Sequence, residues 1–259
     1  MSEPARASVE SDLNHPAAAP TPHGSRAVDL SLDLLAAARA SGRTVSDSLR
    51  AAAAALGAVD PTRITPEGGA RVAFWINVYN ALMRHAVAAY PLIEGERVPL
   101  STFFRARYRV GSSSFSLHQI EHGILRRNRP APYTFWRPLS ARDPRLAAMP
   151  RAFDPRVHFA LNCAAASCPP VHAYTAAGLD AELDRATRTY VSQETLIDRE
   201  ACTVKLPYLC ALYARDFGDP RAALGWCMGY LDPPERAWLE ANRDRARVSF
   251  NGYRWALVP

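Results

Sequence analysis

The segment "TPEGGARVAFWINVYNALMRHAVAAY", residues 65–90, has the most regular apolar pattern in the chain. Its large apolar residues recur every three or four positions, which predicts one helix with a buried face. Thr65 and Pro66 are a typical N-cap and first helical residue, and Pro91 ends the pattern after Tyr90. The residues predicted to face the core are Trp75, Val78, Tyr79, Leu82 and Ala86.

Two asparagines lie in the middle of this predicted helix. Asn77, Asn80 and Arg84 are spaced at i, i+3 and i+7, so they share a face beside the apolar one. Because asparagine is a mediocre helix former, its presence twice needs a reason. Either these side chains hydrogen-bond to an adjacent loop, or they line a site.

Length and composition indicate a globular domain with a substantial core, since 48% of the 259 residues are hydrophobic. The net charge is +6, but the basic residues, all Arg except Lys205, are interspersed with acids. We therefore expect a solvated mixed surface and no specific nucleic-acid partner. No run approaches the roughly 18 apolar residues of a membrane helix, so no membrane partner is expected.

The five cysteines are an odd number, which fits poorly with a disulfide framework. The N-terminal stretch contains no apolar segment typical of a secretory signal. These two observations predict a cytoplasmic protein with reduced thiols. The Ala-, Pro- and Ser-rich residues 1–27 are predicted to form a disordered arm, and residues 28–259 a single globular domain.

Helix patterns also cover residues 28–42, 44–57, 117–127 and 175–193, and three more lie between residues 208 and 244. A hairpin is predicted over residues 107–117, and short strands over 156–162 and 201–207. The Asn251-Gly252 pair predicts a second hairpin over residues 246–258. The expected fold class is therefore α+β: a helix-rich single domain with a small, mostly antiparallel sheet.

The stretch "HFALNCAAASCPP", residues 158–170, brings two cysteines, a histidine and an asparagine together. If residues 156–162 form a strand, Val157, Phe159 and Leu161 face the core. His158 and Asn162 then emerge on the opposite face, beside Cys163. The small residues that follow let a ligand or another backbone approach closely.

Four interpretations of this stretch remain open. One cysteine is a nucleophile with a nearby histidine as its base. Alternatively, the C-x4-C pair is a redox couple, although the usual spacing is C-x-x-C. A third possibility is a zinc site formed by His158, Cys163, Cys168 and a fourth group. In the fourth, both cysteines are small buried residues beside a turn.

A second group of polar residues lies in "LHQIEHGILR", residues 117–126. His118 and His122 are at i, i+4, a spacing that can bind a metal, but the H-E-x-x-H pattern of metalloproteases is absent. Glu121 and His122 are about 100° apart on an α-helix, so they are not expected to face each other. No glycine-rich phosphate loop or dinucleotide-binding pattern is present. Asp216-Phe217-Gly218 is interpreted as a helix end with Gly218 as its cap.

Three segments in this order resemble the family called domain of unknown function 547: "FWINVYNAL" (residues 74–82), "IEHGILR" (residues 120–126) and the 158–170 stretch. The resemblance extends over roughly residues 28–258, and the family carries no established reaction. It implies that the residues at the motif positions form one site. These are Asn77, Asn80, Glu121, His122, Arg126, His158, Asn162, Cys163 and Cys168.

The chain departs from the family pattern at two places. A terminal segment similar to Tyr-Asp-Trp-Ser-Leu-Asn is here Tyr253-Arg254-Trp255-Ala256-Leu257-Val258, so Arg254 replaces the acid. A lysine near the last core helices is also replaced, around residues 207–209. If either group supports chemistry in the family, this chain is altered or inactive.

The leading hypothesis is a cysteine-dependent hydrolase or transferase acting on a small molecule or peptide, without a cofactor. Cys163 or Cys168 would be the nucleophile and His122 or His158 the base. Glu121 or Asn162 would orient the imidazole, and Asn77 would polarise a carbonyl. Asn77, Asn80, Arg126 and Asn162 would contact the substrate. The alternatives are a non-catalytic binding or scaffold domain with structural Cys and His motifs, and a zinc or thiol-redox site.

Overall fold

The computed structural model describes residues 12–14 and 24–258, and most of the predicted N-terminal arm lies outside these ranges. Helix α1 spans Gly24–Ser41, so it begins four residues before the predicted start at residue 28. Helix α2 spans Asp47–Ala55, and the Ser46 side chain caps it by accepting from the Leu49 amide. Asn14 is buried and donates to the carbonyls of Ala53 and Arg109. The few described residues of the arm therefore pack against the domain.

Helix α3, Ala70–Ala89, is the central helix of the fold. All five residues predicted to face the core are buried. The predicted start at Thr65 and Pro66 is wrong, because Gly69 is the N-cap. Two features keep the preceding residues out of the helix: Gly68 has a φ of +68°, and Arg71 donates from Nε to the Ile64 carbonyl at 2.9 Å.

A short helix α4, Leu100–Arg105, leads into the first sheet. Strands β1 (Arg107–Val110) and β2 (Ser113–Ser116) pair antiparallel, which confirms the predicted hairpin. Gly111 turns the chain between them with a φ of +59°. Ser116 and Gln119 then form a capping box, with reciprocal hydrogen bonds of 3.1 and 3.2 Å.

The helix after this capping box differs from the predicted α-helix. Residues Gln119–Leu125 form a π-helix, in which the Arg126 amide donates to the Glu121 carbonyl at 2.8 Å. Two residues further along, the Asn128 amide donates to the Gly123 carbonyl at 2.9 Å. Single π-helical turns occur frequently at functional sites. Here the wider turn brings Glu121 and His122 within 3.8 Å of each other, contrary to the expectation from α-helical geometry.

The predicted strand over residues 156–162 is wrong. Residues Pro155–Phe159 form a 3-10 helix that follows another one at Pro144–Ala148. Asp154 caps it by accepting from the Arg156 amide, and Pro155 occupies its first position. As a result His158 and Phe159 are both buried, so the alternation of faces expected for a strand does not hold.

The C-terminal part contains most of the remaining helices and a three-stranded sheet. Helix α5 spans Leu179–Glu194 and buries Leu179, Leu183, Ala186 and Tyr190. Strand β4 (Thr203–Leu206) pairs antiparallel with β3 (Leu196–Asp198) and parallel with β5 (Arg247–Phe250). The remaining helices are α6 (Tyr208–Leu212), α7 (Ala214–Phe217), α8 (Pro220–Met228) and α9 (Pro233–Ala241).

The predicted C-terminal hairpin around Asn251-Gly252 is also wrong. Only β5 is a strand there, and its partner β4 lies far away in sequence. The Asn251 amide donates to the Leu206 carbonyl at 2.9 Å, which extends that pairing. Beyond it the chain forms isolated bridges from Ala256 to Arg97 and from Leu257 to Ala165. The terminal segment is thus held by other parts of the fold and does not return along β5.

The molecule is helix-rich α+β with two small sheets, as expected. Two apolar clusters form its core: one around α1, α2, α3 and the first sheet, and one around α5, α8 and the second sheet. The 3-10 helix Pro155–Phe159 joins them, because Val157 belongs to the first cluster and Phe159 to the second. No helix within the described ranges is long and apolar enough to span a membrane.

Candidate active site

A cavity of about 280 Å³ lies between the two apolar clusters. Val98 and Leu161 from the first cluster and Leu209 from the second form part of its apolar wall. Its polar lining contains five of the predicted site residues. These are Glu121, His122, His158, Cys163 and Cys168. The structure therefore brings together residues from the second and third motifs, which are far apart in sequence.

The two cysteines are in direct contact at one side of the cavity. Their Sγ atoms are 2.8 Å apart, and both are free thiols. Cys168 Sγ also accepts from the Cys163 amide at 3.1 Å and lies 3.2 Å from the Tyr253 hydroxyl. Three groups thus lie within hydrogen-bond distance of Cys168 Sγ: the Cys163 thiol, the Cys163 amide and the Tyr253 hydroxyl.

This arrangement separates the acidities of the two thiols. Burial by itself would raise the pKa of Cys168, but the hydrogen bonds from Cys163 and Tyr253 outweigh it, so its pKa is lowered. The hydrogen bond to Cys168, followed by burial, raises the pKa of Cys163 well above its ordinary value. Cys168 is therefore the member of the pair that carries thiolate character.

The loop that carries the cysteines is held by asparagine side chains. Asn162 donates to the Pro169 carbonyl at 2.7 Å and accepts from the Ala164 amide at 2.8 Å, which closes the turn. Asn80 of α3 accepts from the Asn162 amide and donates to the Ala160 carbonyl, both at 2.9 Å. Asn80 thereby fixes the start of this loop, residues 162–169 and called the thiol loop below, against α3.

Asn77 holds a different loop in the same way. Its Nδ2 donates to the Tyr174 carbonyl at 2.8 Å, and its Oδ1 accepts from the Tyr174 amide at 3.0 Å. These contacts agree with hydrogen bonding to adjacent loops. Asn77, Asn80, Asn162 and Arg126 are not among the cavity-lining residues, and their contact with a substrate stays a prediction.

His158 is held by a buried carboxylate that sequence reasoning missed. Its Nε2 lies 2.9 Å from Oδ2 of Asp216, which also accepts from Arg126 at 2.7 Å. Hydrogen bonds from His158 and Arg126 lower the pKa of Asp216 despite its burial. Burial lowers the pKa of His158, so the imidazole is neutral and its Nε2–H donates to Asp216. The buried Nδ1 of His158 has no hydrogen-bond partner among the described residues.

His122, the other candidate base, has both ring nitrogens engaged. Arg126 donates to its Nδ1 at 3.0 Å, which leaves the proton on Nε2, 3.3 Å from the Tyr133 hydroxyl. Burial and the adjacent charge of Arg126 hold the pKa of His122 well below its usual value. The same Tyr133 hydroxyl lies 3.2 Å from Nδ1 of His118, which does not line the cavity.

Glu121 lies among tyrosines in the wall of the cavity. Its Oε2 accepts from Tyr79 at 3.0 Å, and its Oε1 accepts from Tyr213. Burial, and after it the charge of Glu121, raises the pKa of both tyrosines, so both hydroxyls stay protonated. The closest imidazole nitrogen, Nδ1 of His122, is 3.8 Å away and already accepts from Arg126.

Within residues 12–14 and 24–258, no group of three His, Cys, Asp or Glu side chains could hold a metal ion. His158, Cys163 and Cys168, the ligands considered for zinc, do not form such a group. The zinc alternative therefore has no ligand set in this part of the chain.

Several residues of the site were not predicted from the sequence. Tyr213 and Tyr253 line the cavity, and Asp216 lies behind it. Tyr253 carried one signal, because it begins the terminal segment that resembles the family. The neighbouring departure, Arg254, has an exposed side chain and is absent from the cavity lining. Asp216 and Tyr213 are ordinary helix-end residues in sequence, and no motif distinguishes them.

Fold and site together describe a helix-rich α+β domain with a half-buried thiol pair in a cavity. Residues 66–191 match the family model described as "Protein of unknown function, DUF547", which confirms the predicted resemblance over this part of the chain. The match is narrower than the resemblance over residues 28–258, and it ends before Tyr213, Asp216 and Tyr253. Searches of curated proteins and of solved structures found no match.

Proposed function

We propose that the cavity is the active site of a cysteine-dependent acyl-transfer enzyme, a hydrolase or transferase, with Cys168 as the nucleophile. The convergence of three donors on Cys168 Sγ is the observation that carries this proposal. Hydrogen bonds to a sulfur favour its ionised form, and the thiolate is the reactive species of cysteine. A purely structural thiol pair has no need for such donors.

His158 is the proposed base. Both nitrogens of His122 have partners, whereas Nδ1 of His158 is free and His158 lines the same cavity as Cys168. Asp216 accepts from Nε2–H of His158 and fixes the tautomer that leaves a lone pair on Nδ1. Asp216 thus takes the orienting role that the sequence pattern suggested for Glu121 or Asn162.

The reaction then proceeds in two halves. The proton of Cys168 passes to Nδ1 of His158, and the sulfur attacks the carbonyl carbon of the substrate. The bond from this carbon to the leaving group breaks, and the leaving group takes the proton from His158. In the second half the acceptor gives a proton to His158 and attacks the thioester, which releases Cys168.

The proposal needs reduced cysteines, which is consistent with the expected cytoplasmic location. A small molecule or peptide is the expected substrate, because a cavity of about 280 Å³ admits only a short group at a time. A second candidate, a thiol–disulfide redox site, is favoured by one observation: the 2.8 Å between the two Sγ atoms. Oxidation would join Cys163 to Cys168 and remove the nucleophile.

The first prediction concerns cysteine reactivity. Iodoacetamide labelling of the native protein, mapped by mass spectrometry, should modify Cys168 first, with a midpoint below the ordinary thiol pKa of about 8.5. Cys202, which does not line the cavity, is the internal reference. Tyr253→Phe should slow the labelling of Cys168 near neutral pH, because it removes a donor. Tyr208→Phe is the matched control, since Tyr208 lines the cavity without contacting either sulfur.

Labelling before and after treatment with a reductant separates the two candidates. Cys168 that labels only after reduction favours the redox site. Cys168 that labels no faster than Cys202 at any pH, with or without reductant, contradicts the nucleophile. The non-catalytic alternative would then be preferred.

A further inference from the structure

Glu121 is a buried carboxylate that forms no ion pair with an arginine or lysine of the described residues. It is 7% exposed, and both of its oxygens accept from neutral tyrosine hydroxyls. Arg126, the nearest guanidinium in the network, donates instead to Asp216, His122 and the Pro130 carbonyl. A buried carboxylate without a cation is costly unless a bound group compensates it. Since Glu121 faces the cavity, that compensation can come from a ligand.

A second acceptor lies close to Glu121 and also lacks a donor. It is Nδ1 of His158, which is buried and unpartnered. Tyr213 links the two groups, because its hydroxyl donates to Glu121 while its ring stacks on His158 at 3.7 Å between centroids. Both acceptors belong to residues that line the cavity, so a ligand group rich in N–H donors would satisfy them.

Aromatic rings form much of the rest of the wall. Faces of such rings attract cations, and this attraction grows when water is excluded. The aromatic side chains of the cavity are those of Tyr79, Phe103, Tyr133, Tyr208, Tyr213, Tyr253 and Trp255. A guanidinium already lies over two of them, that of Arg97 over Trp255 at 4.4 Å and that of Arg126 over Tyr213 at 5.1 Å. Arg97 lines the cavity beside Trp255, so the preference for an ammonium group rests on the Glu121 carboxylate, the unpartnered imidazole nitrogen of His158 and the rings that no guanidinium covers.

We propose that the cavity binds a primary ammonium group between Glu121 and Nδ1 of His158, and that a primary amine is the acyl acceptor of the enzyme. This inference rests on the proposed acyl-transfer function and names its acceptor class. A primary ammonium fits better than a quaternary one, because both acceptors require N–H donors. The Glu121 carboxylate balances the positive charge of the ammonium group, and Nδ1 of His158 orients it by accepting one of its N–H groups.

The proton balance of the transfer step follows from the same contacts. The bound ammonium gives one proton to Nδ1 of His158 and becomes a neutral amine. Its nitrogen attacks the carbonyl carbon of the Cys168 thioester, so a C–N bond forms and the C–S bond breaks. The second proton of the nitrogen goes to the departing sulfur, which returns Cys168 to the thiol. The products are an amide and a protonated His158, which passes its proton to solvent.

The test is binding of n-butylamine to the Cys168→Ser protein, measured by calorimetry near neutral pH. This variant cannot form the thioester, so binding is measured without chemistry. We expect saturable binding of n-butylamine and none of 1-butanol, its neutral analogue. Glu121→Gln in the same background should weaken the binding by about ten-fold or more. Glu67→Gln, at an exposed carboxylate, should leave it unchanged.

Equal binding of n-butylamine and 1-butanol would overturn the inference, as would unchanged binding after Glu121→Gln. If Glu121→Gln does not fold, the comparison of amine and alcohol on the Cys168→Ser protein alone decides. Failure of the proposed function is distinguishable from failure of this inference. Amine binding with an unreactive Cys168 removes the acyl transfer and leaves the ammonium site, whereas a reactive Cys168 without amine binding removes the ammonium site alone.

Discussion

Asp216 is the residue on which the charges behind the cavity converge. It is fully buried and accepts hydrogen bonds from Arg126, Arg129 and His158 at 2.7 to 2.9 Å. Replacement by asparagine keeps the shape but removes the charge, which leaves the buried guanidinium of Arg126 uncompensated. We expect Asp216→Asn to lower the free energy of unfolding by about 3–5 kcal/mol.

Urea denaturation of Asp216→Asn, followed by circular dichroism, measures this loss. Asp184→Asn is the matched control, because Asp184 pairs with Arg156 from a half-exposed position. Exposed ion pairs contribute only about 0–1 kcal/mol. If the two variants lose the same amount, the Asp216 network does not stabilise the fold as its burial implies.

At the level of single residues, the sequence alone identified five polar residues of the cavity that lie in recognisable motifs. Glu121, His122, His158 and the two cysteines were all found because short motifs contain them. Asp216 was interpreted as a helix end, and its helix does end at Gly218 with a φ of +82°. What sequence could not supply is the distance between Asp216 and His158, which are 58 positions apart. Only tertiary packing brings them together.

Helix α3 positions two loops through its asparagines. The Asn80 side chain bridges the Ala160 carbonyl and the Asn162 amide, so its loss leaves two backbone groups without a partner. Each such buried group costs about 1–3 kcal/mol. We therefore expect Asn80→Ala to destabilise the protein by roughly 2–4 kcal/mol and to slow the labelling of Cys168, because the thiol loop loses its anchor.

Thermal unfolding together with the labelling rate tests this prediction. Arg84→Ala on the same helix is the control, since Arg84 is half-buried and makes a single long hydrogen bond of 3.4 Å to the Ala38 carbonyl. A variant Asn80→Ala as stable as Arg84→Ala, with unchanged labelling of Cys168, would contradict the anchoring role.

A helix or strand could be predicted from the sequence where its residue pattern is regular. The 3.6-residue period of α3 and the turn residues of the β1–β2 hairpin were sufficient. The segment at residues 155–159 alternates like a strand, but Asp154 and Pro155 start a 3-10 turn, a local effect that outweighs the alternation. The π-helix had no sequence signal, because its extra residue per turn is selected by packing around Gly123 and Glu121.

At the scale of the whole molecule, the site lies where the two apolar clusters meet. The thiol loop follows the 3-10 helix that joins the clusters, while Tyr213 and Tyr253 come from the second cluster. The cavity therefore requires both halves of the chain, although the family match covers only residues 66–191. A sequence pattern confined to one half cannot define such a site, since the second half supplies Tyr213, Asp216 and Tyr253.

Four buried histidines make the free energy of unfolding of the whole domain depend on pH. Burial is the largest cause of the lowered pKa in His85, His118, His122 and His158, and the pKa of His85 falls to about 4. Unfolded histidines have a pKa of about 6.5, so the unfolded chain binds more protons than the folded one below that pH. The sign follows directly: stability is complete above about pH 6.5 and falls as the pH drops. The lowered pKa of Asp216 does not oppose this trend, because it changes the stability only below about pH 4, where an unfolded aspartate becomes protonated.

We expect unfolding to take up about two to four protons between about pH 5 and 6, which corresponds to roughly 3–5 kcal/mol of stability per pH unit. Urea denaturation at a series of pH values measures this slope. His85→Gln should reduce it by about one proton, because a glutamine can still accept from the Tyr108 hydroxyl without titrating. His172→Gln, at an exposed position, is the control and should leave the slope unchanged. An uptake below about one proton would mean that these histidines are protonated in the folded state, and the neutral His158 required by the proposed mechanism would then be wrong.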